Sequence, residues 1–303
     1  MTRVAPFSDD AIGEAAELVR SGEPVAIATE TVYGLAADAT NAAAVARIYE
    51  AKGRPRFNPL IVHVPDLGAA GRIGELGPEA LELARQHWPG PLTLVVPLKA
   101  DAGIASLVTA GLATIALRVP SHRAMQALLR ATGRPLAAPS ANASGSISPT
   151  RAEHVLQSLD GKIELIVDDG PCGRGIESTI VAATGGALRL LRPGPILVDA
   201  PAGFGEAIES PGQLQSHYAP SKPLRLEVIE AASDEYLIGF GPVAGDSSLS
   251  RSGDSVEAAA RLFDLLHFAD MSPKPRIAVA PVPGEGLGIA INDRLRRAAG
   301  RRD

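Results

Sequence analysis

Three apolar runs each carry a polar group where one is costly. "PLIVHVP" holds His63, "TIALRVP" holds Arg118, and "PLAAPSANASG" delivers Ser140 and Asn142. Each run reads as a strand, with its polar residue inside or just beyond it. An unpaired arginine is rarely buried, so Arg118 needs an anion or a place at the wet end of its strand. Taken singly, His63 also fits a hydrogen-bonded core histidine, and Arg118 an internal ion pair. Three such strands in one domain point to a shared polar pocket.

The stretch "TETVYGLAAD" raises the same question with Thr29, Glu30, Thr31 and Tyr33. It lies between the apolar "EPVAIA" and the helical "NAAAVARIYEAKG", whose Val45, Ile48 and Tyr49 share a face. Read as a strand-to-helix junction, it occupies the edge where open α/β sheets bind ligands. Next, "AKGRPRFNPL" brings Lys52, Arg54 and Arg56 close together, with Gly53, Pro55 and Pro59 opposing a helix. In an extended loop the three alternate and aim together at an anion, with phosphates as the natural candidates. The plain alternative is a solvated basic loop. Arg192 in "ALRLLRPGP" adds another cation before a rigid turn. "PSANASGSISPT" clusters Ser140, Asn142, Ser144, Ser146, Ser148 and Thr150 with Gly145. Such a loop cradles phosphate through backbone N–H groups and hydroxyls, or caps the helix "RAEHVLQSL" through Ser148 or Thr150. "IESTIV" places Glu177, Ser178 and Thr179 at another strand entrance.

Several signatures are absent. There is no G-x-x-x-x-G-K-[ST] loop, no H-E-x-x-H and no G-x-S-x-G elbow. Gly284, Gly286 and Gly288 in "GEGLG" have the wrong spacing for a dinucleotide fingerprint and read as a turn into the last helix. Cys172 is the single cysteine, so no internal disulfide forms and no cysteine-based metal framework is visible. A net charge of −5 argues against a general nucleic-acid coat. The first residues lack an apolar signal region, and no apolar run approaches about 18 residues, so a soluble cytoplasmic protein is expected.

The positioning elements alternate. "DDAIGEAAELVRSG" is an amphipathic helix that ends near Gly22. Further apolar runs, "PVAIAT", "LTLVVPL", "ELIVDDG" and "STIVAAT", are interleaved with "PEALELARQHW", "HRAMQALLRATG" and "TRAEHVLQSLDG". The pattern predicts a mixed α/β sheet. From about residue 201 the texture becomes rich in Gly, Pro and Ser without periodicity, as in a linker or long ordered loop. A second small unit follows: strands in "LRLEVIE", "YLIGFG" and "PRIAVAPV", and helices in "SVEAAARLFDLLHFAD" and "GIAINDRLRRAAG". The expected division is 1–200, a linker at 201–223, and 224–303.

Taken together, "TETVYGLAADATNAAAVARIYEAKGRPRFNPLIVHV", "APSANASGSISPT", "GIESTIV" and "LLRPGPI" closely resemble the signature of the YrdC-like threonylcarbamoyl-adenylate synthases. The paired K-x-R and S-x-N motif stands as Lys52-Gly53-Arg54 and Ser140-Ala141-Asn142. "SPGQLQSHYAPSKPL" looks like the interdomain linker of the two-domain branch, and "LFDLLHFAD" with "GLGIAINDRLRRAA" like its C-terminal domain. Ala28 and Ala36 depart from a usual proline and a frequent glycine. The resemblance implies a YrdC-like twisted mixed sheet with flanking helices and a small Rossmann-like α/β domain.

It also implies a nucleotidyltransferase that joins L-threonine, bicarbonate or CO2 and ATP into threonylcarbamoyl-AMP and pyrophosphate, with Mg2+ accompanying ATP. A downstream tRNA-modifying transferase would use the product for t6A. By resemblance, threonine recognition falls to Thr31, His63, Arg118, Ser178 and backbone near Ala138. ATP recognition falls to Arg54, Asn58, Thr114, Ser140, Ser148, Arg192 and Tyr218. Lys52, Arg54, Ser140 and Asn142 form the implied catalytic motif; no metal ligand is assigned.

A carbamate on the threonine amine is already anionic, so it needs alignment and charge neutralisation rather than an activated nucleophile. Two rivals remain in view. One is a double-stranded RNA-binding module, opposed by the acidic balance. The other is a carbamoyl transferase of hydrogenase maturation, opposed by the lone cysteine where a zinc-finger region would need several. No membrane and no stable nucleic-acid partner are expected.

Overall fold

The computed structural model describes residues 1–203, 209–210 and 217–300. The stretches of the expected linker at 204–208 and 211–216 lie outside the described residues, as do 301–303. The chain opens with β1 (Arg3–Pro6), α1 (Asp9–Ser21), β2 (Val25–Ile27), β3 (Gly34–Asp38) and α2 (Ala42–Lys52). β4 (Ile61–His63), α3 (Leu67–Ile73), α4 (Pro78–His87), β5 (Leu92–Pro97) and α5 (Ser106–Thr109) follow. Then come β6 (Thr114–Arg118), α6 (Arg123–Thr132), β7 (Leu136–Ala137), α7 (Ala152–Leu159), β8 (Leu165–Asp168), β9 (Thr179–Ala182) and β10 (Arg189–Arg192). These strands form one ten-stranded mixed sheet in the order β1-β8-β2-β3-β7-β4-β6-β5-β9-β10.

Local chemistry sets the helix ends. The Ser8 hydroxyl accepts from Ala11 N at 3.1 Å to start α1, and Asn41 accepts from two backbone N–H groups to start α2. Gly53, at φ 57°, stops α2 in the left-handed conformation that glycine adopts without strain. α1 and α6 cover one face of half the sheet, burying Ala15, Val19, Leu128 and Leu129 against Val25 and Ile27. On the opposite face α2 and its neighbours pack a small-residue core that includes Val45, Ile48, Val62, Leu94 and Leu117. Around β4, β6, β5, β9 and β10 a separate apolar patch, Ile61, Val95, Ala116, Ile180, Ala182 and Leu191, contains no helix residue. All six are buried, and Ile61 also lines the pocket.

The structure corrects one expectation. "TETVYG" is not a strand-to-helix junction. It connects β2 to β3, which pair antiparallel with Ile27 opposite Gly34, and α2 begins only after β3. "GLAAD" carries none of the β-branched residues that mark a strand, yet all five of its residues are buried, because β3 lies between β2 and β7.

The second unit contains β11 (Leu224–Arg225), β12 (Glu235–Gly239), β13 (Ser247–Ser248), α8 (Ser255–Met271), β14 (Arg276–Val279) and α9 (Gly288–Ala299). Its four strands are all parallel, in the order β11-β14-β12-β13. Leu262, Phe263 and Leu266 of α8 and Ile291 and Leu295 of α9 build its core, and Val32, Ile147, Ile176 and Tyr218 join the same cluster. The two units therefore share an apolar seam. Gly175 shows how tight it is: a Cβ there would stand 2.5 Å from Ala259 O and 2.4 Å from Ala260 O of α8. Among the described residues no helix is long and apolar enough to cross a membrane.

Candidate active site

The pocket forms where β4, β6 and β7 end beside the β2–β3 connection. β4 and β6 run parallel with His63 opposite Arg118, so both polar residues leave the sheet at one level. The Thr29 hydroxyl accepts from Thr31 N at 3.1 Å and donates to Val32 O at 2.6 Å, which shapes the connection. That turn presents Thr31, whose Oγ1 accepts from Arg118 Nη1 at 2.9 Å. Ala138 N donates to Ile61 O at 3.0 Å, and Gly34 and Ser140 form an isolated bridge, so the strand exit after β7 closes the third side.

Arg118 is 4% exposed, and its Nη2 lies 2.7 Å from Glu30 Oε1. The internal ion pair is present, and the same guanidinium also lines the pocket. Burial pushes the Glu30 carboxyl up, but the Arg118 charge and hydrogen bonds outweigh it and hold the group down at about 2. Burial, reinforced by the Arg118 charge, holds the His63 imidazole down at about 3, so it is neutral near pH 7. Its Nδ1 is buried with no partner among the described residues.

The basic stretch behaves differently from the loop read in the sequence. Lys52 is the last residue of α2 and is 3% exposed; Arg54 is 7% exposed, and Arg56 is exposed. The three do not aim together, and neither Lys52 nor Arg54 belongs to a solvated loop. The Lys52 ammonium donates to Ser140 O at 2.6 Å and also to Asn142 O, tying α2 to the S-x-N loop. Burial and the nearby Arg54 charge push the lysine well below its usual range. Arg54 lines the pocket and donates from Nη2 to Pro59 O at 2.9 Å. The Asn58 side chain is buried, with neither polar atom partnered among the described residues. Buried polar groups are normally bonded, so a carboxamide of this kind is suited to a ligand.

Across the pocket Arg192 donates from Nε to Ser178 O and from Nη2 to Ser178 Oγ, each at 3.0 Å. Gly194 lets the chain after Arg192 approach this corner, since a Cβ there would be 2.4 Å from Thr179 N. Tyr218 is 1% exposed and lines the pocket beside His217. At φ 66° it holds a left-handed conformation that is strained for an aromatic residue, fixed by Ala219 N donating to Gly145 O at 2.8 Å.

Of the expected site residues, Thr31, Arg54, His63, Arg118, Ala138, Ser140, Ser178, Arg192 and Tyr218 line one cavity of about 50 Å³. Lys52, Asn58, Asn142 and Ser148 are buried outside that lining. Thr114 begins β6, at the far end of the strand from Arg118, roughly 13 Å away at about 3.3 Å per residue. Strand alternation places it on the same face as Ala116 and Arg118. Sequence reasoning assigned no site role to Glu30, Glu177 or His217. Glu30 and Glu177 were visible only as neighbours of Thr31 and Ser178.

A sheet edge that combines buried guanidiniums, hydroxyls and a neutral imidazole is the site of an enzyme that handles anionic substrates. The Sua5/YciO/YrdC family model, described as telomere recombination, matches residues 17–194. The model for the threonylcarbamoyl-AMP synthase C-terminal domain matches residues 189–300. A threonylcarbamoyl-AMP synthase of Bacillus subtilis is 43% identical, with 97% of this chain and 94% of that protein covered. One from Pyrococcus abyssi is 39% identical over 95% and 94%. The crystal structure of Pyrococcus abyssi Sua5 complexed with L-threonine matches with a TM-score of 0.89 at 35% identity, covering 98% of both chains. The chain belongs to the threonylcarbamoyl-AMP synthases of the Sua5 type, nucleotidyltransferases of the t6A pathway.

Proposed function

We propose that this chain condenses L-threonine, bicarbonate or CO2, and ATP into threonylcarbamoyl-AMP and pyrophosphate, for a downstream tRNA-modifying transferase. The observation that carries the reading is the convergence of Arg118, Thr31 and neutral His63 at one end of a cavity whose other walls hold Arg54 and Arg192. The division of labour is 1–200 for the catalytic unit, 201–223 for the linker and 224–303 for the second unit.

Threonine lies at the Arg118 end. Its carboxylate takes the guanidinium that Glu30 and Thr31 already orient, its polar groups face His63 and Ser178, and Ala138 supplies backbone. Its neutral amine's lone pair bonds to the carbon of CO2 as one C=O π pair moves onto oxygen, and the nitrogen proton passes to water, giving a carbamate. A carbamate oxygen then attacks the α-phosphorus of ATP as the bond to pyrophosphate breaks. Arg54 and Arg192 neutralise charge at the phosphates, where preorganised donors act most strongly on the transition state. Lys52 and Asn142 hold the Ser140 loop in place. Asn58, Thr114 and Ser148 serve the nucleotide, with Thr114 at the far end of β6 from Arg118.

A cavity of about 50 Å³ is far below the several hundred that a nucleotide needs. ATP therefore needs a wider cavity than this one, and Tyr218, which lines it from the linker, acts as an ordered lid that excludes water. No group of three or more metal-ligating side chains occurs among the described residues, and both carboxylates at the pocket are engaged by arginines. The described residues do not form a protein-held metal centre; Mg2+ would accompany the ATP phosphates, and no step here runs through it.

Mass spectrometry of the purified protein with ATP, threonine and bicarbonate tests the reading. Threonylcarbamoyl-AMP should form, and pyrophosphate release should require both co-substrates. A folded protein that makes no adenylate under these conditions overturns it.

A further inference from the structure

Arg294, in the last helix of the second unit, is fully buried, and it faces the first unit's pocket wall. Its Nε donates to Glu177 Oε2 at 2.8 Å, while Glu177 Oε1 accepts from Ser148 Oγ at 2.5 Å. Its guanidinium lies 5.4 Å from the centre of the Tyr218 ring, within cation–π range. Ser148 is held a second time from the same unit, with His267 Nε2 of α8 3.1 Å from Ser148 O. Two helices of the second unit thus converge on one residue of the nucleotide corner.

We propose that Arg294 is a positioning residue for the nucleotide end of the site, acting through Glu177 on Ser148 and through its face on Tyr218. The second unit then completes the ATP site. This inference rests on the proposed synthase reading and deepens it. The physical case is the cost of the arrangement. Burying a guanidinium desolvates it, and a well-packed apolar residue commonly serves stability as well. What an apolar residue cannot do is hold both the Glu177 carboxylate and the Tyr218 ring. Glu177 and Tyr218 line the pocket, whereas Arg294 stands behind them. Its effect should therefore fall on ATP and leave threonine alone, since Arg118 is held by Thr31 and Glu30, a set of partners separate from the Arg294–Glu177–Ser148 link.

The test uses the full-length chain. Steady-state kinetics are measured on wild type, Arg294→Met, Arg294→Lys, Glu177→Gln and the Arg294→Met/Glu177→Gln double variant. Threonine affinity is measured by calorimetry without ATP. Arg294→Met should raise KM for ATP about tenfold or more and leave threonine affinity within about twofold. Arg294→Lys should recover part of the loss. The double variant should be no worse than the poorer single one, because both residues act through one link. If Arg294→Met does not fold, Gly175→Ala replaces it: the added Cβ meets the α8 carbonyls, loosens the seam and should raise KM for ATP in the same way. A wild-type chain that makes no adenylate overturns the proposed function and this inference with it. An active wild type whose folded variants lose melting temperature but keep the wild-type KM for ATP overturns this inference alone.

Discussion

The two ends of the cavity are built in different ways. The end proposed for threonine is assembled within one unit: Arg118 on β6, His63 on β4 and Thr31 after β2 are fixed by strand register and by the Thr29 turn. The Tyr218 corner is assembled across a seam, from Glu177 and Ser148 on one side and Arg294 and His267 on the other. A site within one sheet is as rigid as the sheet. A site across a seam is only as well formed as the docking. The difference suits a reaction in which a small amino acid fits a preformed recess, while a large nucleotide needs a wall that opens and then re-forms.

The largest effect should come from the threonine end. Arg118→Ala removes the carboxylate partner and leaves Glu30 buried with an uncompensated charge, which typically costs about 3–5 kcal/mol. Threonine affinity should fall about a hundredfold or more by calorimetry, and the melting temperature should drop with it. Adding Glu30→Gln should restore part of the stability but none of the threonine binding. Unchanged threonine affinity in Arg118→Ala would leave the arginine with its ion-pair role only, and the comparison would lose its first half.

Acid should act on both regions at once. His63 at the threonine end and His154 at the seam are each held down at about 3, chiefly by burial. His154 stacks on His267 with ring centres 3.8 Å apart, so protonation of either imidazole is opposed by its neighbour. Folded pKa values below the ordinary value of about 6.5 mean that the unfolded chain binds more protons between those limits. Stability is then fully present above pH ~6.5 and is lost as pH falls toward 3, by up to about 1.4 kcal/mol per pH unit for each histidine. Glu30, held at about 2, adds a loss only below its ordinary value of 4.5. Urea midpoints across this range should show the fall, and His154→Gln should make it shallower without changing threonine affinity. A flat profile from pH 7 to 4 would mean that the imidazoles reach solvent.

The third effect separates lid from glue. Tyr218→Ala should lower synthesis about tenfold with threonine affinity kept, and Tyr218→Phe should retain more activity because the ring still faces Arg294. ATP with threonine should protect the linker from protease. Equal cleavage with and without ligands, together with normal turnover by Tyr218→Ala, would make the tyrosine seam packing alone.

Much of the Arg118 end of the cavity was legible because strands announce themselves. "TIALRVP" and "PLIVHVP" contain β-branched runs that become β6 and β4, and an arginine or histidine in such a run is conspicuous. β3 was missed because "GLAAD" becomes a strand only between β2 and β7. Arg294 had no signal at all. The stretch "NDRLRRAA" reads only as part of a closing helix of the second unit, and docking against Glu177 makes one of its arginines fully buried. Tertiary context overrides local pattern most where two units meet, so the seam-built corner was the least readable part of the site.

The smallest predicted effect tests the same point at one stretch. By residue type and spacing alone Arg54 and Arg56 are equals, two residues apart in a Gly/Pro-rich segment, and only the family resemblance singles out Arg54. The structure separates them: Arg54 lines the pocket and donates to Pro59 O, whereas Arg56 and its neighbour Phe57 are exposed. Arg54→Ala should lower synthesis strongly and also cost stability, since it strips a buried donor from the backbone carbonyls of Asn58 and Pro59. Arg56→Ala should leave kcat and both KM values within about twofold and stability within about 0.5 kcal/mol, as exposed substitutions usually do. A tenfold loss in Arg56→Ala with an unchanged melting temperature would show that the exposed arginine swings onto the phosphates when ATP binds. The nucleotide end would then extend beyond the seam onto the 54–57 loop, with a second moving wall opposite Tyr218.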